Sequence, residues 1–172
     1  EECVEFFTLS PDELVWISGR TQKHQLGLAI YFKIFQYQGH FPEDQKNIPV
    51  ELVAHIATQL QASPDEFSEY DWMGRSASRD RQAIYNRLAY RIATVDDAND
   101  LSHWISQHTI LREDQRMETL IELAYERCRD LRIDPPTSLR LRRIIRTGVT
   151  QYETIFFEGI FSKLNATIRL GL

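Results

Sequence analysis

The chain has 172 residues, of which 42% are apolar, 26% charged and 11% aromatic. That is the composition of one ordinary globular domain or two small ones, and it excludes a disordered or collagenous chain. A formal net charge of −5 argues against nonspecific polyanion binding over the whole surface.

With only 7 Gly and 6 Pro, long helices are favoured over a many-stranded sandwich. Ser10-Pro11-Asp12-Glu13 is a capping box with proline at the first helical position, and it predicts a helix over 11–18. A second helix follows over 22–38. Leu26, Ile30, Ile34 and Tyr37 lie on one of its faces and Leu28, Phe32 and Phe35 on another, so it should be central and buried on several sides. Gly39 and Pro42 end it. Pro49 opens the next helix, 49–60, with Val53, Ile56, Ala57 and Leu60 as its apolar stripe. Ser63-Pro64-Asp65-Glu66 repeats the capping box and starts a short helix, 64–70. Helices over 76–90 and 95–109 follow, the latter started by Thr94 with Asp96 and Asp97 at its positive end. Met117, Ile121, Ala124, Cys128 and Leu131 mark a helix over 112–131. Asp134-Pro135-Pro136-Thr137-Ser138 is a stop and a new start, and the last helix runs from 138 to about 166, with Gly148 a place for a kink or an interruption. Nothing alternates with period two. The expectation is an all-α chain of about eight helices, in two helix-turn-helix-like modules in tandem, 1–92 and 93–172.

Function classes narrow quickly. The longest apolar run, Leu26 to Tyr37, is interrupted by Lys33 and Gln36 and falls short of the ~20 residues a bilayer needs, so no membrane is expected. Two cysteines, Cys3 and Cys128, are neither a disulfide framework nor a zinc site, and they fit a reducing, cytosolic setting. Glu51 and His55 stand i, i+4 but lack a third ligand. Asp96, Asp97 and Asp100 read as helix-start acids. No Gly-rich phosphate loop occurs, and no Ser or Cys nucleophile has a partner. Catalytic residues, metals and cofactors are therefore not expected. Tyr152, Phe156, Phe157 and Phe161 read as a core or as an interface for further sequence. The chain opens on Glu1 and stops at Gly171-Leu172, which suggests a piece of something longer.

Charge is uneven, and this is the informative feature. Residues 41–71 carry seven acids and one Lys, whereas 75–91 carry Arg75, Arg79, Arg81, Arg87 and Arg91 against Asp80 alone. Residues 127–147 carry seven arginines against Asp130 and Asp134. Arginine is the planar bidentate donor suited to phosphates and guanine edges. At 100° per residue, Arg79, Gln82 and Asn86 share one face of helix 76–90, opposite Ala77, Ile84 and Leu88, with Arg75 at its start. In the last helix Arg142, Arg143 and Arg146 face away from Leu141, Ile144 and Ile145, with Arg140 on the flank. Thr137 and Ser138 at its start offer hydroxyls and free N–H groups to a phosphate. The residues expected at DNA are Arg75, Arg79, Arg81, Gln82, Asn86, Arg132, Thr137, Ser138, Arg140, Arg142, Arg143 and Arg146. The bland alternative is a pair of solvated basic faces neutralised by acidic neighbours.

An ordered series of motifs resembles the N-terminal region of the Tn-three family transposases, the large enzymes of replicative transposons. It begins with Phe7-Thr8-Leu9-Ser10-Pro11-Asp12-Glu13-Leu14. It continues through Gln25-Leu26-Gly27-Leu28-Ala29, Tyr37-Gln38-Gly39-His40-Phe41-Pro42 and Ile48-Pro49-Val50-Glu51-Leu52-Val53. It closes with Arg79-Asp80-Arg81-Gln82-Ala83-Ile84 and Leu131-Arg132-Ile133-Asp134-Pro135-Pro136, then Leu139 and Arg143. Members of that family often carry His-Arg where this chain has Asp80-Arg81. The resemblance implies a bacterial, nucleoid-associated region that binds double-stranded DNA at the transposon's terminal inverted repeat. It implies a catalytic Asp-Asp-Glu centre on an RNase H-like fold far downstream, outside these residues, and a dimeric full-length protein. The rival expectation is a helical protein–protein module for transposase assembly or a host factor.

Overall fold

The computed structural model describes residues 6–42, 44–71 and 73–170, apart from the side chains at 23, 109, 163 and 165–170. Cys3 and the two termini lie outside the described residues. The fold is all-α. Its helices are α1 (Pro11–Ser18), α2 (Gln22–Gln38), α3 (Val50–Leu60), α4 (Arg75–Leu88), α5 (Val95–Gln107), α6 (Met117–Asp130) and α7 (Ser138–Leu170). Short 3-10 turns stand at Gln45–Asn47, Pro64–Glu69 and Thr109–Arg112. The strands among the described residues are two two-residue segments, β1 (Arg91–Ile92) and β2 (Ile133–Asp134), which pair. The chain divides into two compact units, Glu1–Arg91 and Ile92–Leu172.

In the first unit α2 is the hub, packed by α1, α3, α4 and the 3-10 turn at Pro64–Glu69. Residues 26–35 are buried without a break, as an apolar surface on several sides demands. Lys33 is inside that run. Its Nζ pairs with Glu13 at 2.9 Å, with both groups buried, and also donates to Gln36 at 3.1 Å. Glu13 therefore has two jobs. Its other carboxylate duty is the capping box, where Oε2 accepts from the Ser10 N–H at 2.8 Å while the Ser10 hydroxyl accepts from the Glu13 N–H. Gly39 ends α2 in the left-handed region (φ 75°), which glycine adopts at no steric cost. The expected helix 64–70 is a six-residue 3-10 turn: its capping box forms, but the segment is too short to complete two α-turns.

In the second unit α7 packs on both α5 and α6. Leu101, Ile105, Leu120, Ala124, Leu141 and Ile145 fill the centre. Cys128 is buried there, and burial pushes its thiol up to about 11. Thr94 and Asp97 cap α5 reciprocally, the Asp97 carboxylate accepting from the Thr94 N–H at 2.8 Å and its hydroxyl at 2.7 Å. Two expectations are corrected. The helix expected over 112–131 starts only at Met117, because Asp114 accepts from both the backbone and side-chain N–H groups of Arg116 and from the Thr119 hydroxyl. Those bonds, the Arg116 side chain's first, hold the Asp114 carboxyl well below its usual range and fix a turn where a helix was expected. Gly148 does not interrupt α7, which is continuous. A Cβ at Gly148 would stand 2.6 Å from the Ser102 carbonyl oxygen, so the glycine lets α5 and α7 approach closely.

Candidate nucleic-acid interface

Helix α4 presents two unlike sides. Ala77, Asp80, Ile84 and Tyr85 are buried, while Arg75, Ser78, Arg79, Gln82, Asn86 and Arg87 are exposed. The expected Arg79, Gln82 and Asn86 do form one exposed stripe, continued by Arg75. Within it the Gln82 amide donates to Asn86 Oδ1 at 3.1 Å. That contact leaves the Gln82 carbonyl and the Asn86 N–H groups without a partner among the described residues, an acceptor and donors of the kind that match an adenine edge. The helix starts at Gly74 without a side-chain cap and without an acid in its first turn; the Asp71 carboxylate, which accepts from the Met73 N–H at 3.2 Å, lies beside that start.

What holds α4 is polar. Asp80, on its inner side, is only 3% exposed. It accepts from the Tyr70 hydroxyl at 2.6 Å and from Arg20 Nε–H at 3.1 Å. Burial, and then the bond to Asp80, pushes the Tyr70 phenol far above its usual range. Asp80 thereby ties α4 to the turn before it and to the α1–α2 connection. Arg81 differs from its expected placement: it is half-buried and hydrogen-bonded to the Tyr31 hydroxyl, so it stands apart from the exposed stripe. Arg87 lies over the Trp16 ring, 4.9 Å from its centroid, a cation–π contact. Sequence reading took Asp80 as a lone counter-charge; its partners, 10 and 60 residues away, leave no local signal.

On α7 the expected division holds. Leu141, Ile144 and Ile145 are buried, and Arg140, Arg142, Arg143 and Arg146 are exposed. Thr137 is exposed and Ser138 half-buried at its start, and no acid lies in the first turn. An open groove runs between α5 and α7, lined by Asn99, Thr137, Arg140, Arg143 and Thr147 among others. Arg140 and Arg143 thus border the groove, while Arg142 and Arg146 stand on the open face. Asn99 and Thr147 were not expected there; only the packing of α5 brings them beside the arginines. Arg132 is apart from these, in the left-handed region (φ 51°) after α6, and it is engaged within the chain.

The outward arginines carry uncompensated charge. Among the described residues none of Arg75, Arg79, Arg140, Arg142, Arg143 and Arg146 is ion-paired. The only acid in α4 is the buried Asp80, and α7 has none before Glu153. Neutralisation of these faces would therefore have to come from acids on other elements, such as Asp71 beside the start of α4. Elsewhere, Glu51 is exposed and His55 half-buried, and among the described residues no group of three or more His, Cys, Asp or Glu is placed to hold a metal.

Further along α7 the surface changes character. Ile155, Phe156, Phe157, Ile160, Phe161 and Leu164 are all exposed. No described helix is long and apolar enough to cross a membrane. No curated protein matches this chain. Residues 1–148 match the family described as Domain of unknown function (DUF4158), and the chain belongs to that family.

Proposed function

We propose that this chain binds double-stranded DNA sequence-specifically, as the N-terminal region of a transposase that recognises its transposon's terminal inverted repeat. The observation that carries the reading is the pair of unpaired cationic faces, one on α4 and one on α7, in a chain whose net charge is −5. Unpaired arginines on a helix face release counterions when they meet phosphates, and that release drives binding. The α4 stripe adds amides suited to base edges. Two modest readers on one chain gain avidity through effective concentration. The region binds and does not cut; strand cleavage belongs to the downstream carboxylate centre that the transposase resemblance implies. The test is an electrophoretic shift with a transposon-end duplex and a scrambled duplex of equal length, with Mg²⁺ and Mn²⁺ lanes for nicking. A shift restricted to the transposon end, without nicking, supports the reading; equal shifts or metal-dependent nicking oppose it.

A second reading, a helical module that docks another protein in transposase assembly or on a host factor, is favoured by a different observation. The distal stripe from Ile155 to Leu164 exposes six large apolar side chains, more than scattered surface residues account for. Serine at Phe157 and Phe161 would weaken such docking and leave DNA binding unchanged. Loss of DNA binding in that variant would mean the two surfaces are not separate.

A further inference from the structure

Leu139 is the second residue of α7 and is 63% exposed. It borders the α5–α7 groove beside Arg140, Arg143 and Thr147. Arg142, Arg143 and Arg146 follow it at i+3, i+4 and i+7, which places all four side chains on one face. The apolar residues that hold α7 in its unit, Leu141, Ile144 and Ile145, are buried on the other side. Leu139 is not among the side chains packed on the core of its unit.

Its neighbours decide what it suits. An apolar protein surface laid on Leu139 would also strip water from three unpaired guanidinium groups, at a high cost. On the distal stripe it would strip water from fewer cations, because no arginine lies between Thr147 and Leu164 and Lys163 is the single lysine there. A DNA major groove offers phosphates to the arginines and, at its floor, one kind of apolar group: the thymine C5-methyl. We infer that Leu139 is a specificity-determining residue that packs against a thymine methyl in the major groove while the flanking arginines hold the backbone. This rests on the DNA-binding reading and adds to it which base the α7 face prefers.

Replacing thymine by deoxyuridine removes only that methyl and leaves pairing and phosphates intact. The probe is a duplex selected by the chain from a random-sequence pool, and the same duplex with every thymine replaced by deoxyuridine, titrated by fluorescence anisotropy. The wild-type chain should bind the deoxyuridine duplex at least about fourfold more weakly, the effect of burying one methyl group. Leu139→Ala should lose about that factor from the thymine-to-deoxyuridine ratio with its salt dependence unchanged, and Leu139→Met, which keeps an apolar side chain of similar size, should retain the wild-type ratio. A wild-type chain blind to the methyl, or a folded Leu139→Ala variant with the wild-type ratio, overturns the inference and leaves DNA binding standing. Failure of the wild-type chain to enrich any duplex removes both.

Discussion

Helices α4 and α7 both turn unpaired arginines to solvent, yet they are held and equipped differently. The shorter, α4, is fixed by a buried polar node: Asp80, with Tyr70 and Arg20. Its exposed stripe mixes arginines with a hydrogen-bonded Gln82–Asn86 pair. The longer, α7, is fixed by apolar packing, with Leu141 and Ile145 fully buried and Gly148 against α5. Its face up to Arg146 carries arginines and a single leucine. A polar node sets the rotation of a helix tightly, because a misplaced buried carboxylate costs more than a shifted methyl group. Amides on such a helix suit base edges, whereas bare charge along α7 suits phosphates, which demand less of rotation. The proposal assigns base discrimination chiefly to α4 and electrostatic grip chiefly to α7, with Leu139 as the exception.

The largest effect should come from removing the grip. Arg142→Gln, Arg143→Gln and Arg146→Gln together should weaken DNA binding strongly and flatten the slope of log affinity against log salt by up to about three units. The fold should survive, since exposed substitutions usually cost under ~0.5 kcal/mol each. An unchanged slope in a folded triple variant would take α7 off the DNA.

The next effect probes what holds α4. Asp80→Ala leaves the Tyr70 hydroxyl without its acceptor and should destabilise the first unit by about 2–3 kcal/mol in denaturant titrations. Asp80→Asn keeps an acceptor and should lose less. A loss below ~0.5 kcal/mol for Asp80→Ala would mean the node does not hold the helix.

On the stripe itself, Arg79→Ala or Gln82→Ala should each remove about 1–3 kcal/mol of discrimination at one or two base pairs. Helicity and the salt slope should change far less than in the α7 triple variant. Retained preference across a base-substitution series would reverse the division of labour.

The smallest effect concerns Gly148→Ala. Helix propensity alone favours alanine by about 1 kcal/mol, but the added Cβ would press on the Ser102 carbonyl, a backbone atom that cannot rotate away, and overpacking costs about 1–3 kcal/mol. The net expectation is a lower melting temperature. A higher one would mean that α5 and α7 are not so closely packed.

Helix starts were legible because their chemistry is local. Ser10 with Glu13 and Ser63 with Glu66 form the expected reciprocal caps, and Thr94 caps α5 where a start was expected. The faces of α4 and α7 were legible because an amphipathic period repeats within one turn. Three features were not, and each depends on a distant partner or a competing local bond. Lys33 seemed to interrupt an apolar run, but Glu13, twenty residues earlier, lets it be buried. In the sequence Asp80 is a lone acid among arginines; only the fold brings Arg20 and Tyr70 to it. The start of α6 was misplaced because Asp114 binds Arg116 and Thr119 more favourably than the helix could extend. Gly148 differs: a glycine in a helix can mark a break or a close approach, and the unbroken helix with the Ser102 carbonyl beside it shows the close approach.

The most direct test of the two-helix grip is hydroxyl-radical footprinting of the chain on a transposon-end duplex. The account predicts two separate patches of backbone protection, with the α7 triple-glutamine variant erasing one and leaving the other. A single patch lost as a unit, or no protection at concentrations that saturate binding, would contradict it.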